Sequence, residues 1–481
     1  MRRPLRPIAA LLSLACACAP GGPREPDPWP TVAWARSTPE AQGVDSSRLA
    51  TLVERVRERD LDLHSLLLVR HGVIVLDATF FPYDGARPHD VASCTKSLTA
   101  TAVGLALTDG ELASLQTPLV ELLPGYPLAD ARARDVTVEH ALTMTAGFAC
   151  VTAPTEVTLL EMQAADDWIG FALGLPMSDA PGASWRYCSS ASHLLSGAVT
   201  AAVDAPLDRY LRDRLLAPIG AGASIWPRDP QGRAHGWGDA RLYPEDLARV
   251  GLLYLHGGRW DDAQRLDAAF VDAATRDEVL AGGPEGGYGY QWWIDEGGSF
   301  HASGRGGQFL YVAPALDLIV VATGGADEAQ LEVYDQLLAE ELLPAIVDDD
   351  PLPEDAAANA QLAALLEAVR LPPAPRSPAP APALAEDVAA RRYALADNLF
   401  GWEALRLTTG EVEAILEVEV DGASERLTVG LDGVPRITRG VRFASGARLD
   451  DVDVALVGDW VDERFTLSFD TIDRIDAGAL T

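Results

Sequence analysis

The sequence predicts an α+β (α/β) sandwich: an antiparallel sheet with flanking helices and an inserted helical lobe, followed by a small C-terminal β domain. Three observations predict it. Strand-like apolar runs cluster in two places far apart in the chain, 66–80 and 288–323, so one sheet must draw on both ends of a domain. The hundred or so residues from Leu112 to Leu215 carry mainly helical or irregular signals. Beyond Glu386 short alternating runs with turn residues replace both patterns.

The elements follow in order. Leu49, Leu52, Val53 and Val56 recur at helical spacing behind Asp45 and Ser46, either of which can cap a helix N-terminus. Leu66 to Val69 and Val73 to Phe80 read as a hairpin turning at His71-Gly72. An apolar helix over Leu98 to Leu107 is closed by Asp109-Gly110. Tyr288 to Ile294, Phe309 to Val312 and Leu318 to Thr323 read as strands, and the uninterrupted Leu318-Ile-Val-Val-Ala322 suits a strand buried on both faces. Glu354 to Val369 makes one amphipathic helix. Six prolines between Leu371 and Pro382 then predict an extended linker. In the C-terminal part, Ala414 to Val420, Arg426 to Gly430 and Phe465 to Phe469 alternate, with turns at Asp421-Gly422 and Asp432-Gly433. The expected organisation is a leader over 1–18, a flexible tether over 19–35, a main domain over 36–347, helix and linker over 348–386, and a β domain over 387–481.

The leader is read from Arg2, Arg3 and Arg6 ahead of a short apolar run, Ile8 to Ala15, too short to span a bilayer and shaped like a secretory signal. Ala15-Cys16-Ala17-Cys18 followed by Pro- and Gly-rich sequence is similar to a bacterial lipoprotein signal, although Leu is missing three residues before either cysteine. We therefore expect export to the periplasm or cell envelope, with a lipid tether at Cys16 or Cys18 as one form and a plain cleaved signal as the other. Cys94, Cys150 and Cys188 remain. Three cysteines leave room for one bridge, and the reading preferred from sequence is small buried packing residues.

With 38 basic against 71 acidic side chains the net charge is −33, which disfavours phosphate backbones and anionic lipid. No His-Glu-x-x-His, Gly-x-Ser-x-Gly or Cys-x-x-Cys occurs, and the eight histidines are scattered. No metal or other cofactor is expected.

Chemistry is read from three segments. Ser93-Cys94-Thr95-Lys96 starts the apolar helix, so the hydroxyl and the amine share a helix face. A serine is a weak nucleophile until a base takes its proton, and a lysine serves if burial lowers its pKa. Tyr187-Cys188-Ser189 sits on a loop entering another helix, where a phenol can relay protons. His301-Ala-Ser303-Gly304-Arg-Gly-Gly-Gln308 runs into Phe309, and its glycines let a substrate approach the backbone. Taken singly, each is as well explained as a solvated helix start, a structural tyrosine or a turn.

In this order the three segments resemble the β-lactamase-related serine hydrolases, the class C β-lactamase, serine esterase and 6-aminohexanoate-oligomer hydrolase group. The resemblance extends to Ser65-Leu-Leu-Leu-Val-Arg-His-Gly72, Ala141-Leu-Thr-Met-Thr-Ala-Gly147, Tyr243-Pro-Glu-Asp-Leu-Ala-Arg249 and Gly289-Tyr-Gln-Trp-Trp293, and covers roughly Pro39 to Gly325. It implies a β-lactamase/transpeptidase-like sandwich. It also implies Ser93 as nucleophile, Lys96 as its base, Tyr187 as acid/base, and an oxyanion and substrate-binding set from Ser189, His301, Ser303 and Gly304. Trp292, Trp293 and Tyr288 are read as pocket-lining or core. Such a protein would act on small esters, amides or peptides. The family's β-lactamases carry Asn at Ser189 and Lys-Thr-Gly at His301-Ala302-Ser303 or Ala302-Ser303-Gly304. The missing lysine favours esters and small amides over β-lactams. A D-alanyl peptidase, a β-lactamase and an inactive binding protein on the same scaffold are the competing readings. The C-terminal β domain is expected either to pack beside the active-site mouth or to bind a partner.

Overall fold

The computed structural model describes residues 29–153, 155–279, 286–398, 400–445, 448–475 and 477–480. The leader and both its cysteines lie outside the described residues.

The first helix, Ser46–Glu58, is capped as expected: the Asp45 carboxylate accepts from the backbone N–H groups of Ser47 and Arg48. The hairpin Leu63–Arg70/Val73–Thr79 turns through His71 and Gly72, both left-handed, the conformation that a tight two-residue turn demands. These strands join the distal ones in a six-stranded antiparallel sheet. Its order is Val73–Thr79, Leu63–Arg70, Leu318–Gly324, Gln308–Ala313, Phe300–Gly304, Trp293–Ile294. Leu318–Gly324 is buried along its whole length, as its apolar run predicts.

The sheet separates two cores. One face carries Leu67, Val69, Leu310, Val312, Ile319 and Val321 and packs on the helical lobe. The other carries Leu66, Leu68, Val320 and Ala322 and is covered by Ser46–Glu58 and by Ala356–Val369, which contributes Leu362 and Val369. That later helix thus completes the second core before the exposed proline segment begins. Among the described residues no helix is long and apolar enough to cross a membrane.

Two strand expectations change. Tyr288 to Ile294 is a strand only at Trp293–Ile294. Gln291 adopts φ 62° and turns its amide to the carbonyls of Ala141 and Leu142, which breaks extended pairing. Conversely Phe300–Gly304, read from sequence as a glycine-rich lead-in, is itself a strand.

The C-terminal residues form a curled eight-stranded sheet around Trp402, Leu416, Val418, Leu427, Phe443 and Leu456. Its long pair Arg436–Ser445 and Arg448–Val461 was not among the expected strands. The sheet docks on the main domain: Tyr83 packs with Ala455 and Ile472, Arg87 pairs with Asp453, and the Asp90 N–H donates to the Asp473 carbonyl at 3.0 Å. Asp90 lies three residues before Ser93, so the docking reaches the base of the nucleophile turn.

Candidate active site

Ser93 lies in a 3-10 turn, Ala92–Cys94, that leads directly into the helix Thr95–Thr108. Twelve of that helix's fourteen residues are buried, because it runs through the middle of the larger core. The turn is tightly specified. Ala92 sits at φ 43°, a conformation that costs a non-glycine residue about 1–2 kcal/mol. It is held there by the Asp90 carboxylate, which accepts the Ala92 N–H at 2.7 Å, and by the Cys94 N–H on the Val91 carbonyl. Burial, with Asp239 nearby, pushes the Asp90 carboxyl up to about 7.

Lys96 Nζ donates to Ser93 Oγ at 3.0 Å and to the Trp237 carbonyl at 2.7 Å, and stands 4.8 Å over the centre of the Tyr187 ring. Only 1% of Lys96 is exposed. Burial pulls its pKa down, Glu156 and Asp239 hold it back, and the result is about 8. The loop supplying the Trp237 carbonyl is tied to the same helix. Thr99 Oγ1 donates to the Gly236 carbonyl, and the Ala240 N–H donates to Thr95 Oγ1. The hydroxyl, amine and phenol ring expected from sequence therefore come together.

Tyr187 precedes the helix Ser189–Val203 and stacks on Trp293 at 6.1 Å, and Trp293 also stacks on His301 at 6.3 Å. Trp185 and Tyr288 meet Trp293 edge-on. Trp293 thus belongs to the site wall. Trp292, fully buried against Tyr254 and Phe300, is core.

The cysteine expectation needs correcting. Cys150 and Cys188 form a disulfide that anchors the residue next to Tyr187, whereas the buried Cys94 lies outside any disulfide. The two sulfurs come from segments 38 residues apart that the lobe's packing brings to one place.

The remaining expected residues occupy different positions. The Ser189 hydroxyl donates to the Glu156 carboxylate. His301 Nδ1 is 2.9 Å from Asp295, and its ring packs on Phe309. Gly304 presses on the nucleophile turn: a Cβ there would stand 2.9 Å from both the Ala92 Cβ and the Val91 carbonyl oxygen. Ser303, one residue before Gly304, pairs across to Phe309 of the neighbouring strand. Among the described residues, the outermost strand pairs only with Phe300 and His301, leaving the outer edge beyond His301 uncovered by a strand. Gly306 and Gly307 are left-handed, and buried Gln308 ties this turn to Gly324 through its amide at 2.6 Å. Glycines and glutamine together thus fix the approach of the strand Phe300–Gly304 to the Ser93 turn.

Sequence reasoning missed Glu156, Trp237 and Asp239. Only the Gly236 and Gly238 pair marked that last loop, and nothing marked Glu156.

Fold and site define a class: a β-lactamase/transpeptidase-like domain carrying a Ser-x-x-Lys pair, with a curled C-terminal sheet. The chain belongs to the beta-lactamase family, whose model matches residues 50–343. This is a family of serine hydrolases that includes esterases, β-lactamases and amidases. Penicillin-binding protein 4 of Amycolatopsis lactamdurans is 27% identical over 295 residues, 52% of this chain and 75% of that protein. A Bacillus anthracis protein assigned as a 6-aminohexanoate-dimer hydrolase superposes with a TM-score of 0.56 at 18% identity, covering 68% of this chain and 91% of its own. EstCE1, a hydrolase with promiscuous acyltransferase activity, gives 0.52 at 15% identity, covering 63% and 99%. At such identities the two structures speak for the fold.

Proposed function

We propose that this chain is a serine hydrolase that transfers the acyl group of a small ester or amide to Ser93 and then to water. The observation that carries the reading is a buried lysine, with a pKa of about 8, donating to the serine hydroxyl at 3.0 Å. In its neutral form Lys96 takes the Ser93 proton as Oγ attacks the carbonyl. Tyr187, its ring beneath the ammonium, protonates the leaving group and later activates the deacylating water. The Ser93 N–H and a backbone N–H near Gly304 receive the oxyanion, each donor contributing roughly a hundredfold to a thousandfold in rate.

The substrate preference rests on register. Gly304 is the residue pressed against the nucleophile turn, so Ala302-Ser303-Gly304 takes the place of Lys-Thr-Gly, and the lysine position is a buried alanine. A buried methyl cannot bind a substrate carboxylate, which favours esters and small amides over β-lactams. The second reading, a penicillin-binding peptidase, is favoured by the similarity to the A. lactamdurans protein. A panel of short p-nitrophenyl esters, linear amides, D-alanyl peptides and a chromogenic cephalosporin separates the two, with esters expected first and the cephalosporin last. A fluorophosphonate probe should label Ser93; folded protein that resists labelling overturns the enzymatic reading in favour of a binding protein. Export is the reading that the Cys150–Cys188 bridge supports, because such bonds persist in oxidising compartments.

A further inference from the structure

We infer that Asp62, His64 and Asp470 form a binding site for a zinc-type divalent cation at the seam between the main domain and the C-terminal sheet. Asp62 and His64 lie two residues apart at the start of the strand Leu63–Arg70, and Asp470 comes from the strand Arg464–Thr471 of the C-terminal sheet. His64 Nε2 is 3.2 Å from Asp62 Oδ1 and 3.4 Å from Asp470 Oδ2, and one ligand atom of each residue lies within 4.8 Å of the others. An ion bound to nitrogen and oxygen at about 2.0–2.2 Å in a tetrahedron has ligand–ligand edges of roughly 3.3–3.6 Å. The two nitrogen–oxygen separations, 3.2 and 3.4 Å, lie just below and within that range.

The carboxylates alone would prove little; the histidine between them points to a ligand. Its side chain is 2% exposed, and the buried Nε2 makes no well-aligned hydrogen bond although both oxygens are close. Oxygens at the edge of a coordination tetrahedron sit about 35° off the axis of the nitrogen lone pair, a poor position for a hydrogen bond and a good one for shared coordination. Asp470 Oδ1 is likewise buried and unpartnered.

The neighbouring rings fix the tautomer. His89 Nδ1 is 2.7 Å from the Asp90 carbonyl, which can only accept, so Nδ1 carries the hydrogen. A neutral ring carries a single hydrogen, which leaves the other His89 nitrogen as an acceptor. Its Nε2 therefore accepts from His64 Nδ1 at 2.7 Å, and His64 Nε2 is left to face the carboxylates with either a proton or a metal ion. A hydrogen bond on the far ring nitrogen fixes the orientation of a metal-binding imidazole. Two carboxylate oxygens thus flank one buried imidazole nitrogen. Asp62 and Asp470 remain 25% and 19% exposed, which leaves a path for the ion and room for a water as fourth ligand. Imidazole with two carboxylates suits zinc and its first-row neighbours and disfavours calcium and magnesium.

The test uses the full-length chain without a histidine tag, stripped with EDTA and titrated with ZnCl2 by calorimetry. One zinc per chain with a Kd tighter than about 10 µM is expected, with a matching rise in melting temperature that CaCl2 and MgCl2 do not give. Asp470→Asn should weaken binding at least tenfold, and His89→Gln by about 10–100-fold through loss of the orienting hydrogen bond. Co2+ added to the unmodified protein should give the intense visible absorption of a tetrahedral site, a readout that needs no variant. Absence of stoichiometric zinc binding by the unmodified chain overturns the inference, since His64 then holds only a proton. Unchanged affinity in folded Asp470→Asn overturns it as well, because the zinc would then sit elsewhere.

Discussion

The pH dependence of acylation tests the Ser93–Lys96 pair most directly. The perturbation is titration of Lys96, which must be neutral to accept the serine proton. At the ordinary pKa of 10.5 about one lysine in 3,000 is neutral at pH 7; at about 8 the fraction is roughly one in 11, near 300-fold more. Between pH 7 and 9 the neutral fraction, and with it the acylation rate, should rise about tenfold. The assay is the burst phase of p-nitrophenyl ester cleavage from pH 6.5 to 9.5, corrected for spontaneous hydrolysis. Among the nearby charges, Glu156 supplies the largest influence holding the Lys96 pKa up, so Glu156→Gln should move the midpoint to lower pH. Stability gives an independent check with a definite sign. Because the folded pKa lies below the unfolded one, the folded chain binds fewer protons between pH 8 and 10.5. Wild-type Lys96 is therefore destabilising below pH 8, and that cost fades as pH rises to 10.5. Lys96→Met should be more stable than wild type at pH 7, with the gap narrowing by pH 10 in urea unfolding. A flat burst rate across the range, or a midpoint near 10.5, would refute the role assigned to the lysine.

Lys96→Ala should lower the burst rate by about 100- to 10,000-fold while circular dichroism stays unchanged. Gly304→Ala places a methyl against Ala92 and should cut kcat/KM about a hundredfold with a modest loss of melting temperature, because an ångström of displacement at the nucleophile suffices. Trp293→Leu removes the ring that stacks on both Tyr187 and His301 and should lower kcat about tenfold in steady-state assays. Reduction, or Cys150→Ala with Cys188→Ala, should cost up to about 4 kcal/mol of stability by chemical denaturation, the loop-entropy value for a bridge of this span.

Much of the fold was legible because it is written locally. The helix Ser46–Glu58, the hairpin at His71-Gly72 and the buried Leu318–Gly324 each follow from periodicity or turn chemistry within a dozen residues. The strand expected over Tyr288 to Ile294 failed where local pattern met a distant partner: the Gln291 amide bonds carbonyls 149 and 150 residues away. The long strands Arg436–Ser445 and Arg448–Val461 were missed because acidic residues such as Asp451 and Asp453 interrupt their alternation. Asp453 is buried with Arg87 and Arg439 beside it, an ion-pair compensation that no pattern of polarity displays.

The sequence by itself determined that a serine and a lysine share one helix start, that a tyrosine opens another helix, and that a glycine-rich segment meets a strand. Those are short-range facts, set by backbone geometry. Only the tertiary structure decided that the lysine is buried over the tyrosine ring, that Glu156 and Trp237 flank it, and that Cys150 reaches Cys188. It likewise decided that Asp470, some four hundred residues away in sequence, closes on His64. The physical reason is that desolvation and Coulomb interaction depend on distance through space. The same lysine would titrate near its ordinary value on an exposed helix; packing made it a base.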